Sequence, residues 1–226
     1  MSLFSPVFFL LLQRKQYKMQ RILFLFLFFF LFLFSNAGDN TRVGEGRIAP
    51  ISDSLFLRMR QGGSWKADAP ATLRSQLRHL RLRYVDADGR SCWGEMVVHQ
   101  RIAQDVVEIF DSLYAAGYRI AHIALVDDYG ADDERSMAAN NTSAFNFRRM
   151  TGTRTGRISL HGQGLAIDIN PLWNPYVKGS VVKPRGARRR PAITHNDLAY
   201  RLFRAHGFTW GGDWRTLKDY QHFEKK

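Results

Sequence analysis

Leu82-Arg83-Tyr84-Val85 alternates in polarity and runs into Asp86-Ala87-Asp88-Gly89. A period of two marks a half-buried strand, and an Asp/Gly-rich tetrapeptide marks a turn. Glu95 to Val98 resumes the strand pattern, so the stretch predicts a β-hairpin and, with it, antiparallel pairing. Upstream, Leu73, Leu77 and Leu80 fall at helical spacing, in a short stripe that can also pass straight into the strand. Downstream, Ile102, Val106, Ile109, Phe110, Leu113 and Ala116 recur at helical spacing and stop at Gly117, which predicts an amphipathic helix. Ile120 to Val126 predicts a core strand, and Asp127 to Asn141 is polar and loop-like. Leu165 to Ile169 is an apolar run around one acid, ended by Asn170-Pro171. The basic, Gly- and Pro-containing stretch 177–191 predicts a long exposed loop. Asn196 to His206 predicts a helix closed by Gly207, and Phe208 to Trp210 and Tyr220 to Phe223 predict closing strands. Strands and helices mix without βαβ alternation or internal repeats. The expectation is an α+β fold with a small central antiparallel sheet flanked by helices.

The chain has 226 residues, a formal net charge of +13 and one cysteine. That length suits one domain with appendages. Arg14, Lys15, Lys18 and Arg21 precede an unbroken apolar run, Ile22 to Phe34, and Ser35-Asn36-Ala37 supplies small residues. This is the layout of an export signal with cleavage before Gly38. The run is short for a membrane span of roughly 20 residues, although a retained anchor is the competing reading. Met19 offers an alternative start directly before the basic and apolar run. Residues 1–37 hold four basic and no acidic residues, so the remainder carries +9. Such a charge favours polyanions, and export makes nucleic acid the least natural of them. The expected location is periplasmic or extracellular, membrane-tethered if the anchor is kept. Cys92 alone excludes an intramolecular disulfide and a four-cysteine metal site.

Three segments carry candidate chemistry. In Ser159-Leu160-His161-Gly162-Gln163-Gly164-Leu165-Ala166-Ile167-Asp168, an imidazole and a carboxylate stand seven apart with two glycines between them. An acid within an apolar strand is costly to bury unless paired or metal-bound. The pair is therefore either part of a zinc site or a loop histidine with a salt-bridged aspartate. Lys218-Asp219-Tyr220-Gln221-His222-Phe223-Glu224 adds a histidine with an acid three residues before it. A catalytic zinc keeps three protein ligands and one open position. His161, Asp168 and His222 would fill the three, leaving Asp219 free as general base. The alternative is a surface aspartate beside a core histidine. Asn140-Asn141-Thr142-Ser143-Ala144-Phe145-Asn146-Phe147-Arg148 ends in an arginine that would either stabilise an oxyanion or lie solvated at a strand edge.

Taken together, Ser-x-His-x-x-Gly-x-Ala-x-Asp at 159–168 and Asp-x-x-His at 219–222 resemble the zinc D-alanyl-D-alanine carboxypeptidases. Their relatives include VanY-like carboxypeptidases, D-Ala-D-Ala dipeptidases and phage L-alanyl-D-glutamate endolysins. The Asn140–Arg148 stretch, Asp-Ile-Asn-Pro at 168–171 and Trp-Gly-Gly-Asp-Trp at 210–214 look like the endolysin-containing subgroup. The resemblance runs from about Val97 to the C-terminus. It implies one zinc per chain on His161, Asp168 and His222, with Asp219 as catalytic base. It also implies Arg148 at the oxyanion, in an Asn-Phe-Arg context where many relatives have Gly-Tyr-Arg, and Ser159 in substrate support. Ser143, Trp214 and Tyr220 are further candidate substrate contacts. Trp210, Trp214 and Tyr220 either wall the cleft or pack the core. The implied organisation is a signal at 1–37, a linker and N-terminal extension at 38–90, and a peptidase domain at 91–226. The implied reaction is hydrolysis of peptidoglycan stem peptides, first of all removal of terminal D-Ala. Alternatives are cleavage between L-Ala and D-Glu, or a zinc-stabilised wall-binding module without catalysis. The Arg188–Arg190 loop either attracts anionic envelope polymer or is merely solvated.

Overall fold

The computed structural model describes residues 45–150, 156–188 and 190–226. The expected export segment, the alternative start at Met19 and Arg189 of the basic loop lie outside them. Among the described residues, no helix is long and apolar enough to cross a membrane.

The chain opens with β1 (Arg47–Pro50), α1 (Asp53–Gly62), the one-turn α2 (Leu73–Gln76), β2 (Leu77–Val85) and β3 (Ser91–His99). These strands form an antiparallel sheet in the order β1-β2-β3. The hairpin is the one the alternation predicts. Asp86 pins its turn by accepting from the backbone N–H of Asp88 and Arg90, at 3.0 and 2.8 Å. The helical stripe Leu73–Leu77–Leu80 resolves into α2 plus strand, because Leu77, Leu80 and Leu82 are all fully buried from β2.

The expected boundary at residue 91 is corrected. Residues 45–90 are built into the domain, not strung out as a linker. Leu55 and Met59 of α1 pack with Leu77, Val97, Leu125, Phe145 and Phe147 in one apolar cluster. Ser52 caps α1 by accepting from Leu55 N, and Gly63 closes it at φ 99°, a left-handed value that suits glycine.

α3 (Gln100–Ala115) buries Ile102, Val106, Ile109, Phe110 and Leu113 in the main core with Leu80, Leu82 and Met96. The strand expected at 120–126 shrinks to β4 (His122–Ile123), which pairs in parallel with β5 (Asn141–Thr142). Val126–Tyr129 turns into a 3-10 helix, and the polar stretch expected as loop contains α4 (Asp133–Ala138), capped by Asp132. β6 (Ala166–Asp168) follows. β7 (Tyr176–Lys178) and β8 (Val181–Lys183) form a hairpin where a loop was expected. α5 (Leu198–Ala205) leads to β9 (Thr209–Trp210), β10 (Lys218–Asp219) and β11 (His222–Glu224). The fold is α+β, but the sheet is divided: β1-β2-β3, β6-β11-β9 and β10-β7-β8 are each small and antiparallel. Phe203 of α5 stacks on Phe223 of β11 with ring centroids 4.3 Å apart and meets Phe110 of α3 edge-on at 6.5 Å. This buried aromatic stack ties the strand that carries His222 to the main helix.

Candidate metal centre

Asp168 and His222 are register partners across the antiparallel pair β6–β11. Directly opposed residues present side chains to the same face, which brings carboxylate and imidazole together without any special loop. His161 arrives from a 3-10 turn, His161–Gln163, closed by Gly164 at φ 71°. A side chain at Gly164 would also come within 2.7 Å of His99 N, and one at Gly162 within 2.9 Å of Arg148 O. The two glycines between His161 and Asp168 are thus needed for close backbone approach as well as for the turn.

The three side chains converge. His222 Nδ1 lies 3.0 Å from Asp168 Oδ1, His161 Nε2 lies 3.3 Å from Asp168 Oδ2, and the two ring nitrogens are 3.2 Å apart. Tetrahedral zinc with bonds of about 2.0–2.1 Å sets its ligand atoms about 3.3–3.4 Å apart, close to the spacing of the two ring nitrogens; Asp168 meets each imidazole with a different oxygen, and one ligand atom from each of the three residues lies within 4.8 Å of the other two. The outer nitrogens are also committed. His161 Nδ1 lies 2.7 Å from Ala144 O, and His222 Nε2 lies 3.1 Å from Glu224 Oε2. Each acceptor holds the N–H outward and turns the other nitrogen's lone pair inward. These residues can therefore hold a metal ion. Glu224 was not singled out by sequence. Its signal was there: a histidine that ligates through one nitrogen needs an acceptor for the other.

The buried charges answer one another. Burial alone would raise the Asp168 pKa, but His161 and then His222 hold it well below the usual carboxylate range. Burial opposes charge on His222, yet Asp168 and Glu224 outweigh it and push its pKa up to about 10. Asp219 behaves in the opposite way. Burial first, then the Asp168 carboxylate, push it up to about 6. Its Oδ1 is buried with no hydrogen-bond partner. Close approach here also depends on glycine: a side chain at Gly211 would meet Asp219 O at 2.5 Å, and one at Gly212 would strike the Trp210 indole at 2.3 Å. The two glycines thus let the 3-10 turn Gly211–Asp213 lie against β10 behind the site.

A cleft of about 330 Å3 opens on these groups, lined also by Ser143, Arg148, Tyr176 and Lys183. Arg148 is half-exposed and pairs with Asp133 at 2.8 Å. Asn146 Nδ2 donates to the same aspartate at 2.8 Å. The asparagine-rich stretch is thus scaffolding: Asn140, Asn141 and Asn146 are buried and hydrogen-bonded. Ser143 exchanges backbone hydrogen bonds with Asp168. Ser159 does not line this cleft. Its Oγ accepts from Gly162 N at 2.9 Å and supports the His161 turn. Ser159 and Trp214 border a second cavity of about 490 Å3 that reaches the same two histidines, with the Trp214 ring 5.2 Å from that of His222. Tyr220 lines neither cavity and packs on Trp210, which is itself core.

A family model described as D-alanyl-D-alanine carboxypeptidase matches residues 152–225, about a third of the chain. The match contains His161, Asp168, Asp219 and His222 and stops short of Ser143 and Arg148. No solved structure matches the chain. Over the segment that carries the metal centre, the chain is similar to the D-alanyl-D-alanine carboxypeptidases, and this likeness supports a peptidase.

Proposed function

We propose that the protein is an exported zinc peptidase that removes terminal D-alanine from peptidoglycan stem peptides. The observation that carries this reading is Asp219. It is a carboxylate with one buried, unpartnered oxygen, beside three ligand atoms that already point at one another. A purely structural zinc site has no use for such a group. Zinc, when bound by His161, Asp168 and His222, supplies a Lewis acid that lowers the pKa of water towards about 7. Asp219, pushed up to about 6, accepts a proton from the attacking water near neutral pH and returns it to the leaving amine. Arg148 donates to the oxygen of the attacked carbonyl once it exchanges Asp133 for substrate. Glu224 keeps His222 in the ligating tautomer.

Lys183, which lines the cleft and pairs with Glu134, suits the carboxylate of a terminal residue, which favours carboxypeptidase action. The second cavity favours the other reading, cleavage between L-Ala and D-Glu, because it leaves room for chain beyond the histidines. Attraction of envelope polyanions to the basic loop remains part of the proposal: Arg190 is exposed, while Arg188 lies over the Trp173 ring at 5.5 Å. Digestion of defined muropeptides with residues 38–226, with and without zinc, tests all of this by mass spectrometry. Loss of one alanine supports the carboxypeptidase. Release of the stem from L-Ala supports the endopeptidase. No zinc-dependent cleavage removes the enzyme reading.

A further inference from the structure

Three side chains of the cleft stand in a row across the β10-β7-β8 sheet. Asp219 of β10 is the register partner of Tyr176 on β7, and Tyr176 is the register partner of Lys183 on β8. Directly opposed residues share a face of a sheet, and all three line the cleft. Two strand spacings set the backbones of Asp219 and Lys183 about 10 Å apart. The Lys183 ammonium already holds a carboxylate, that of Glu134 in the first turn of α4. The neighbouring acid, Asp133, holds Arg148 and is itself fixed by Asn146 Nδ2. The Glu134 carboxylate has no such second partner among the described residues, and its side chain is 71% exposed. An exposed ion pair of this kind is weak, so another carboxylate can take the place of Glu134 at little cost.

We infer that this row measures a single terminal residue: Lys183 binds the free α-carboxylate of the residue to be removed, and Glu134 is a built-in competitor that the substrate displaces. The inference rests on the peptidase reading and names the substrate end that the same cleft accepts. The leaving amine takes its proton from Asp219, so the scissile nitrogen lies at that end of the row. In the last residue of a peptide, one Cα separates this nitrogen from the α-carboxylate. Each further residue carries the carboxylate on by about 3.5 Å. A flexible lysine stem covers the rest of the span between β8 and the base, whereas the carboxylate of a longer leaving peptide overshoots it. Tyr176, between the two, walls the departing residue. Glu134 itself shows the ligand class, because the group that now occupies Lys183 is a carboxylate. A C-terminal amide carries no charge and leaves the Lys183–Glu134 pair closed.

The fragment 38–226 holds both apolar clusters, which run from Ile51 to Phe223, so it keeps every packed element and is suitable for the test. Its zinc-dependent hydrolysis of a stem peptide ending in D-Ala-D-Ala is compared for the free acid and the C-terminal amide. The parent should favour the free acid by about tenfold or more in kcat/KM, the value of a charge-assisted hydrogen bond. In Lys183→Met that preference should collapse through KM, and Lys183→Arg should restore part of it. Glu134→Gln should lower KM for the free acid by about two- to fivefold, as loss of an exposed competitor does. A pair that merely ties β8 to α4 would affect acid and amide alike, so an unchanged acid-to-amide ratio in Lys183→Met overturns the inference. If Lys183→Met does not fold, Glu134→Gln, at an exposed position, decides, and an unchanged or higher KM for the free acid overturns it. If the parent cleaves neither peptide, the peptidase reading fails. Calorimetric binding of the same two peptides to the zinc-loaded parent then still tests the row, and equal affinity for acid and amide overturns it.

Discussion

The metal centre and the β1-β2-β3 face both gather charge, but the two regions handle it differently. At the centre, Asp168 is sunk between two imidazoles whose outer nitrogens are fixed by Ala144 O and Glu224. Two buried oxygens there stay without a hydrogen-bond partner, Asp219 Oδ1 and Gln221 Oε1. On the face, Arg47 and Arg81 stand opposite one another in the open, with Glu95 across from Arg81 on the next strand. The centre is held by burial and by backbone contacts that tolerate nothing larger than glycine. The face is held by the sheet beneath it and is indifferent to its own side chains. A charge that the fold has organised is expensive to change, and a charge that the fold merely displays is not.

That contrast can be broken by mutation. The largest effect is expected for His161→Ala, which should abolish metal binding and hydrolysis together. Metal analysis of the purified variant beside a muropeptide assay checks this, and retained metal would dissolve the proposed ligand set. Next, Glu224→Gln should weaken zinc affinity by about 10–100-fold while leaving the fold intact, as loss of an outer carboxylate partner does. Competition with a chelator of known affinity measures it. Gly164→Ala should cost about 1–3 kcal/mol from the left-handed backbone alone, with the contact to His99 N added. Arg81→Gln, by contrast, should shift stability by no more than about 0.5 kcal/mol. Urea unfolding of the two variants side by side sharpens the comparison, and equal losses would refute it.

A pH profile probes the same difference more gently. Asp219 must be ionised to take a proton, and burial together with Asp168 raises its pKa to about 6. Hydrolysis should therefore fall as pH drops through about 6 and level off above it. Asp219→Glu should move that limb, whereas Arg81→Gln should not.

Much of the centre was legible because its chemistry needs residue types that are rare in such settings. An acid inside Leu-Ala-Ile-Asp-Ile and two glycines after a histidine each demand an explanation from sequence alone. The α3 stripe and the β2–β3 hairpin were legible because burial on one face leaves a clean period. What was missed has physical causes. β1 is an edge strand whose four residues are all exposed, so it shows no alternation and looked like linker. Asp127 to Asn141 is polar because Asp132 caps a short helix and Asp133 holds Arg148, jobs that need polar residues inside structure. Glu224 was overlooked because its role depends on which nitrogen of His222 faces inward, and spacing does not reveal that. Trp210 and Tyr220 could be wall or core by sequence, and their packing against Phe223 and each other decided for core.

The central claim is that Asp219 is a base beside a metal and not a ligand of it. Purified 38–226 bearing Asp219→Asn tests this most directly, through zinc content and muropeptide turnover measured on one sample. One zinc per chain at parental affinity, with turnover reduced by about 10²–10⁴-fold, is the expected result. Full turnover by that variant, or loss of its zinc, would contradict the account.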